Sequence, residues 1–426
     1  MIVLLFCPQA RGEVRLSLAE TIRLAQEHSY EVKISVHDSA SAMYDYNSAR
    51  SLRYPTLSLN AASFYVDDLQ SVQFGFKKME LGSHENYQAD LKLQIPLFTG
   101  GKISHQIGIQ QENMQFRTLN LESERFNAAY QSRKAYLSLL LSQSLVGSAG
   151  ASLERIGIIA TDVRNLHAAG LADSVDILDA DLAYQKALRL MAEKETTRRN
   201  ASLSLIRQIG LPPGEEIVPT DTAPLPPLPD TTEKTVDSSQ ISRPELKALD
   251  SRIRTANLLI SLSKANYFPN LSGYAGYSAG KPNKDLFNKT WNDYFNIGLA
   301  LNWEFNLGGK THNSTLSARQ SAFSARMAKS RLTEALTLQA GITQENLRYA
   351  HRACTIAEKE LEIITHEFRL AKEKQQAGKL SVNRLLEMEA DLTLAEQMFL
   401  VAIINYFISE TEYLYAIGAP KIYGGF

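Results

Sequence analysis

Along residues 294–305 apolar and polar side chains alternate one for one. Phe295, Ile297, Leu299, Leu301, Trp303 and Phe305 fall on one side, opposed by Asn296, Gly298, Ala300, Asn302 and Glu304. A period of two predicts a strand with one greasy and one polar face. The run ends in Gly308-Gly309-Lys310, and from there to residue 377 the spacing is helical and free of proline. An earlier copy sets Leu91, Leu93, Ile95 and Leu97 against Asp90, Lys92 and Gln94, and ends in Gly100-Gly101-Lys102. Gly100, Gly101, Gly308 and Gly309 therefore mark two strand-to-helix joints, where glycine's permissive backbone suits an abrupt change of direction.

The two copies belong to a long internal repeat. Gly101 and Gly309, Gly170 and Gly378, and Gly210 and Gly418 are each 208 residues apart. Tyr54-Pro-Thr-Leu-Ser58 matches Phe268-Pro-Asn-Leu-Ser272 at an offset of 214, so the first hairpin carries six extra residues. Each unit reads helix, strand, loop, strand, long helix, turn, helix. The first repeat spans 13–210, with helices over 17–53, 102–169 and 174–209 and a hairpin over 55–97. Ser17 and Glu20 form a capping box at its start, Pro55 breaks the first helix, and a polar loop fills 67–85. A proline-rich linker, expected to be extended, occupies 211–242. The second repeat spans 243–418, with helices over 244–266, 310–376 and 381–417 and a hairpin over 269–306; a tail covers 419–426.

The long helices are each about 100 Å at 1.5 Å per residue, far beyond an ordinary globular helix. In the second repeat Leu347, Ala350, Cys354, Ala357, Leu361, Ile364, Phe368 and Ala371 step alternately by three and four. The pattern resumes beyond Gly378 as Leu385, Met388, Leu392, Ala395, Phe399, Ala402 and Tyr406. That spacing predicts coiled-coil packing of antiparallel neighbours. Each short helix is expected to stack end to end on a return helix, so that together they match the long one.

Charge and cysteine content narrow the function. With 45 Lys and Arg against 46 Asp and Glu, the 426-residue chain has net charge −1, which suggests neither nucleic acid nor an anionic surface as partner. Cys7 and Cys354 are too few for a disulfide framework, and Cys354 sits on the apolar seam, where a buried thiol is expected. Residues 1–12 resemble the apolar part of a secretory leader without its basic start. Leu4-Leu-Phe-Cys7 loosely resembles a lipoprotein cleavage box, with Phe6 where a small residue is wanted. No later run of about 18 apolar residues exists, so no transmembrane helix is expected.

Four strands of about ten residues with one apolar face suit either an outer-membrane barrel wall or an ordinary sheet lying on a core. The joint to so long a helix favours the wall, because nothing else in the chain could cover a sheet. Leu91, Leu93, Ile95, Phe295, Ile297, Leu299, Leu301 and Trp303 are then the lipid-facing residues. Four strands cannot close a barrel, which needs about eight, so copies must associate in a ring to hide the edges.

The order of these parts resembles the TolC family of outer-membrane efflux proteins. The resemblance rests on Tyr54-Pro-x-Leu-Ser before a strand, Pro96-Leu-Phe-x-Gly-Gly after one, and Ala-Gly-x(6)-(Ile/Leu)-Leu at both helical turns. It covers residues 16–418. It implies a mainly α fold carrying a β-barrel membrane portion: a homotrimer with a 12-stranded barrel in the outer membrane above a long periplasmic α-barrel. It also implies a periplasmic adaptor and, through it, an inner-membrane pump as partners, with no cofactor and no catalysis. The competing reading is a structural periplasmic or surface coiled-coil protein with a β-rich end.

No catalytic or metal constellation is evident: the eight histidines are scattered, and Gly308-Gly-Lys-Thr311 lacks the first glycine of a phosphate loop, Glu304 standing there. The turns carry the candidates. Asp173, Asp176, Asp179 and Asp181 follow Gly170; Arg384, Glu387, Glu389 and Asp391 follow Gly378. Asp176, Asp179, Arg384 and Glu387 are the expected entrance residues, either as a charged ring or as a solvated helical face. The resembled family usually has acids at the positions of Arg384 and Glu387, so Arg384 implies an Asp176–Arg384 pair that locks the entrance. Ala169, Gly170, Leu171, Ala377, Gly378 and Lys379 form the tips, read either as adaptor contacts or as plain turns.

Overall fold

The computed structural model describes residues 13–212, 215–225, 241–284 and 289–425. The expected leader with Cys7 and much of the central linker lie outside the described residues. The elements run β1 (Glu13–Leu16), α1 (Leu18–His28), α2 (Tyr30–Ser51), β2 (Thr56–Tyr65), β3 (Ser71–Phe74), β4 (Lys77–Glu80), β5 (Glu85–Phe98), α3 (Lys102–Ala168) and α4 (Ser174–Ile209). They continue through β6 (Glu216–Pro219), α5 (Pro244–Lys264), β7 (Asn270–Lys281), β8 (Asn292–Asn302), α6 (Lys310–Gln376) and α7 (Val382–Ile417).

The duplication is visible in the helices themselves. α3 and α6 each have 67 residues, and α4 and α7 each have 36. All four end in the same way. At the first tip Gly170 N donates to His167 O and Leu171 N to Leu166 O; at the second Gly378 N donates to Gln375 O and Lys379 N to Lys374 O. The paired 5→2 and 6→1 bonds are Schellman motifs, which satisfy carbonyls that the last helical turn leaves orphaned. The ends of α4 and α7 repeat the motif at Gly210 and Gly418.

Two differences from the expected elements have local causes. The first helix is two helices, because Ser29 is extended (ψ 143°) and its side-chain oxygen accepts from Val32 N. The polar loop contains a small hairpin, β3–β4. The capping box of Ser17 and Glu20 forms as expected. The linker is extended where described, and β6 pairs in parallel with β1, a partner 203 residues away in sequence.

Backbone contacts separate two units. One comprises Asp38–Thr118 with Ala248–Lys329 and holds the four long strands; the other comprises the remaining segments and is mainly helical. In the helical unit the predicted seam is buried at Ala350, Cys354, Ala357, Ala371, Leu385, Leu392, Ala395 and Tyr406. α7 is long and apolar enough to cross a membrane, with a window of mean hydropathy 1.5, although its sequence lacks an unbroken apolar run. Its Leu385, Leu392, Ile403, Phe407 and Leu414 are instead buried inside this unit. At the expected helix junctions a Cβ on Gly418 would touch Ser242 O, just before α5, and one on Gly210 would touch His28 O. That second contact falls at the break within the expected short helix, whose first part, α1, packs beside α4 rather than end to end with it.

Polar anchors fix this core. The fully buried Arg133 donates through Nε to Thr411 Oγ1 (3.0 Å) and through Nη1 to Gly424 O (2.8 Å), tying the C-terminal segment to α3 and α7. Burial pushes its pKa down, and Glu410 beside it pushes the other way. Tyr136 Oη, also buried, donates within reach of Asp221 Oδ2 (2.9 Å) and Leu16 O (3.1 Å), while Leu18 N donates to the same Asp221 oxygen (2.7 Å). Tyr136→Phe should therefore cost about 1–2 kcal/mol and loosen β1 first, which hydrogen exchange at Val14 and Leu16 would register. Unchanged protection there would contradict the anchoring role.

Candidate functional site

The four long strands form one antiparallel sheet in the order β2-β5-β7-β8. The two hairpins, one from each repeat, meet along β5 and β7, with a register shift between Pro96 and Phe98. A shift suits proline, which cannot donate to the ladder. The register stacks like with like. Leu91 stands between Leu59 and Tyr277, Leu93 between Leu57 and Ala275, and Ile95 beside Gly273. Across β7 the same rows reach Phe295, Ile297 and Leu299, with Leu301 opposite Leu271.

One face is thus apolar over all four strands, and it is not covered by the chain's own helices: Leu59 is 70% exposed, Ile297 76% and Leu299 69%. A patch of this kind on a folded chain marks contact with another apolar phase or protein. Trp303, expected on the same strand, lies one residue past the end of β8. Its Nε1 donates to Tyr267 O (3.2 Å) and its ring packs on Phe305, centroids 4.7 Å apart.

The opposite face is hydrophilic. Asp90 Oδ1 accepts from Ser278 Oγ, Asp90 Oδ2 accepts from Gln88 Nε2 (2.7 Å), and Lys92 lies over the Tyr274 ring. β2 and β8 are the sheet's edges within the chain, each leaving one side's N–H and C=O groups unpaired in the sheet. At the joints Gly100, Gly101 and Gly309 are left-handed, at φ 60°, 87° and 72°. Gly308 has an ordinary φ and open surroundings.

At the helical tips Leu171 is 75% exposed, and a side chain on Gly170 or Gly378 would meet only open space. The entrance candidates divide. Asp179 and Glu387 line one groove of about 500 Å³ between α4 and α7, together with Leu182, Leu386, Leu394 and Gln397. The buried Nε2 of Gln397 has no hydrogen-bond partner. The expected Asp176–Arg384 pair is replaced by two local contacts. Asp176 accepts from Asp173 N (3.0 Å) to complete the capping box of α4, and Arg384 Nη1 donates to Glu387 Oε2 (2.8 Å) one turn along its own helix. Asp181 is bound to Arg164.

Glu389 departs furthest from a solvated acid. It is 1% exposed, and its Oε1 accepts from Ser152 Oγ (3.0 Å), Arg155 Nε (3.1 Å) and Thr393 Oγ1 (2.8 Å). Arg155 also grips Glu396 with two bonds of 3.1 Å, so a polar knot joins α3 to α7. The signal for it was the spacing of Glu389, Thr393 and Glu396, four and then three residues apart on one helix face. Among the described residues no group of His, Cys, Asp and Glu could hold a metal ion.

A family model described as outer membrane efflux protein matches residues 21–211 and 235–411. No curated protein matches the chain. Solved structures match in fold across nearly the full length. A membrane protein from Pseudomonas aeruginosa has 17% identity and a TM-score of 0.79, covering 98% of this chain and 99% of that one. The Campylobacter jejuni CmeC outer membrane channel has 13% identity and a TM-score of 0.77, covering 94% and 85%. The outer membrane protein VceC from Vibrio cholerae has 16% identity and a TM-score of 0.75, covering 94% and 96%.

Proposed function

The chain belongs to the outer membrane efflux protein family, and on that premise we propose that three copies close a twelve-stranded barrel in the outer membrane and carry solutes outward from the periplasm. The observation that carries this reading is the sheet: one face apolar and bare over four strands, the other hydrophilic, with β2 and β8 at its edges. Lipid satisfies the first face and water the second, and only closure satisfies the edges. The helices support assembly of copies too. Ile342, Tyr349, Ile356, Ile363 and Leu370 recur every seven residues on α6 and are exposed, a seam that a neighbouring copy would cover. The family match favours the duct over the structural coiled coil.

In this reading the helical end is the periplasmic entrance, and it is there that an adaptor joined to an inner-membrane pump would dock. The groove between α4 and α7, with its leucines and the unpartnered amide of Gln397, offers an apolar seat with a spare donor. Asp179 and Glu387 give the entrance its negative charge, and Arg384 partly neutralises it. The protein itself performs no chemistry.

Planar-bilayer recording tests the reading. Trimer purified in detergent, and dissociating only on heating, should conduct. Arg384→Ala should raise its conductance and cation preference, since the freed Glu387 focuses the field on cations. An exposed pair of this kind adds little to stability, so the effect is on conduction. A soluble, monomeric, non-conducting protein would end the duct reading; an unchanged conductance in the variant would end Arg384's part in it.

A further inference from the structure

We propose that Lys92 sets a fixed positive site in the wall of the duct, favouring anionic over cationic solutes as they pass the sheet. The inference rests on the duct reading, because it requires the hydrophilic face to line the aqueous path. The register places Ser58, Lys92, Gly276 and Asn296 in one row across the four strands. The strand residues of that face are otherwise mostly hydroxyls, amides and glycines; among them only Asp90 and Lys92 carry charge.

The two charges are not equivalent. Asp90 is half-buried, and both of its carboxylate oxygens are engaged, by Ser278 and by Gln88. Those neutral donors take two of the carboxylate's roughly four acceptor sites and hold it half-buried against the strand. Lys92 is exposed, and its Nζ lies 5.8 Å from the centroid of the Tyr274 ring. Tyr274 lies flat in turn because position 298 is glycine; a Cβ there would stand 2.7 Å from Tyr274 Oη. A ring steers an ammonium without neutralising it, so the charge is held at the wall and still faces water. Lys284, just past the end of β7, repeats the arrangement 3.8 Å from the ring of Tyr294, whose strand position is on the same face. Around a symmetric wall each such cation becomes a ring of cations, and low-dielectric walls strengthen its field.

Ser58→Cys puts a reporter thiol directly opposite Lys92. Its rates of reaction with a negatively and a positively charged methanethiosulfonate would be measured on intact cells carrying the assembled channel, with and without Lys92→Gln. The chain without the added thiol supplies the background. Because the ammonium leans toward Tyr274 on the far side of β5, removing it at roughly 8 Å should lower the anion-to-cation rate ratio about threefold, and Lys92→Arg should preserve it. An unchanged ratio in Lys92→Gln overturns the proposal while leaving the duct intact. Leu59→Cys, the next residue and on the apolar face, separates the other failure. If it reacts as readily as Ser58→Cys, or if Ser58→Cys does not react, the hydrophilic face is not the water-lined one and both readings fall.

Discussion

Gly418→Val should prevent the chain from accumulating as folded trimer, whereas Gly378→Val should be tolerated. Both glycines are left-handed, at φ 73° and 70°, so the cost of forcing an L side chain into that region, about 1–3 kcal/mol, is common to the two variants. They differ in surroundings. A Cβ at Gly418 would stand 2.4 Å from Ser242 O and 2.6 Å from its carbonyl carbon, whereas at Gly378 nothing lies within 4 Å. Backbone cannot swing aside as a side chain can, and Ser242 N is itself bonded to Ile417 O (2.9 Å). Overpacking adds about 1–3 kcal/mol more, for a total near 4 kcal/mol, a large share of a typical domain's stability. The denaturant midpoints of the two variants measure the difference. Gly210 has the same close contact with His28 O, so Gly210→Val should behave like Gly418→Val. Equal midpoints for Gly418→Val and Gly378→Val would show that the junction is looser than its geometry.

Ile297→Arg is expected to cost about 2–4 kcal/mol if its row lies near the bilayer midplane. Ile297 is the most exposed of the large apolar residues on β8, and no donor or acceptor awaits a guanidinium there in hydrocarbon. Asn296→Arg, one residue earlier, turns the same group to the hydrophilic face, where water solvates it. The pair holds charge and strand constant and changes only the side of the sheet. Heat-modifiable trimer in the membrane fraction should be lost for Ile297→Arg and kept for Asn296→Arg. The reverse outcome would invert the sheet, and equal outcomes would remove lipid from the account.

Much of the fold was legible because local rules spoke twice. Gly170 and Gly378, like Gly210 and Gly418, sit where helices end in left-handed turns, so their common offset located four helix ends at once. The faces of the sheet could be read because alternation specifies which side a residue takes. The site was less legible where partners are distant in sequence. Nothing near Glu13–Leu16 announces Glu216–Pro219 as its pairing strand, and Arg133 reads as one more helical cation until Thr411 and Gly424 arrive from the far end of the chain. Acids near the tips illustrate a different difficulty. Asp173 and Asp176 complete a capping box, and Glu389 is sealed in a polar knot. Charge type gave no means of telling these roles from that of Asp179; Glu389 borders the same groove as Asp179 yet is almost wholly buried, so packing decides it.

The bare edges of β2 and β8 also bear on how the protein reaches its destination. A lone subunit has no tolerable depth in hydrocarbon, since a row of unpaired amides would go in with its leucines. Biogenesis should then proceed by association before or during insertion. Its rate law should rise more steeply than first order in newly exported chains, and half-built barrels should be targets for proteolysis rather than residents of the bilayer.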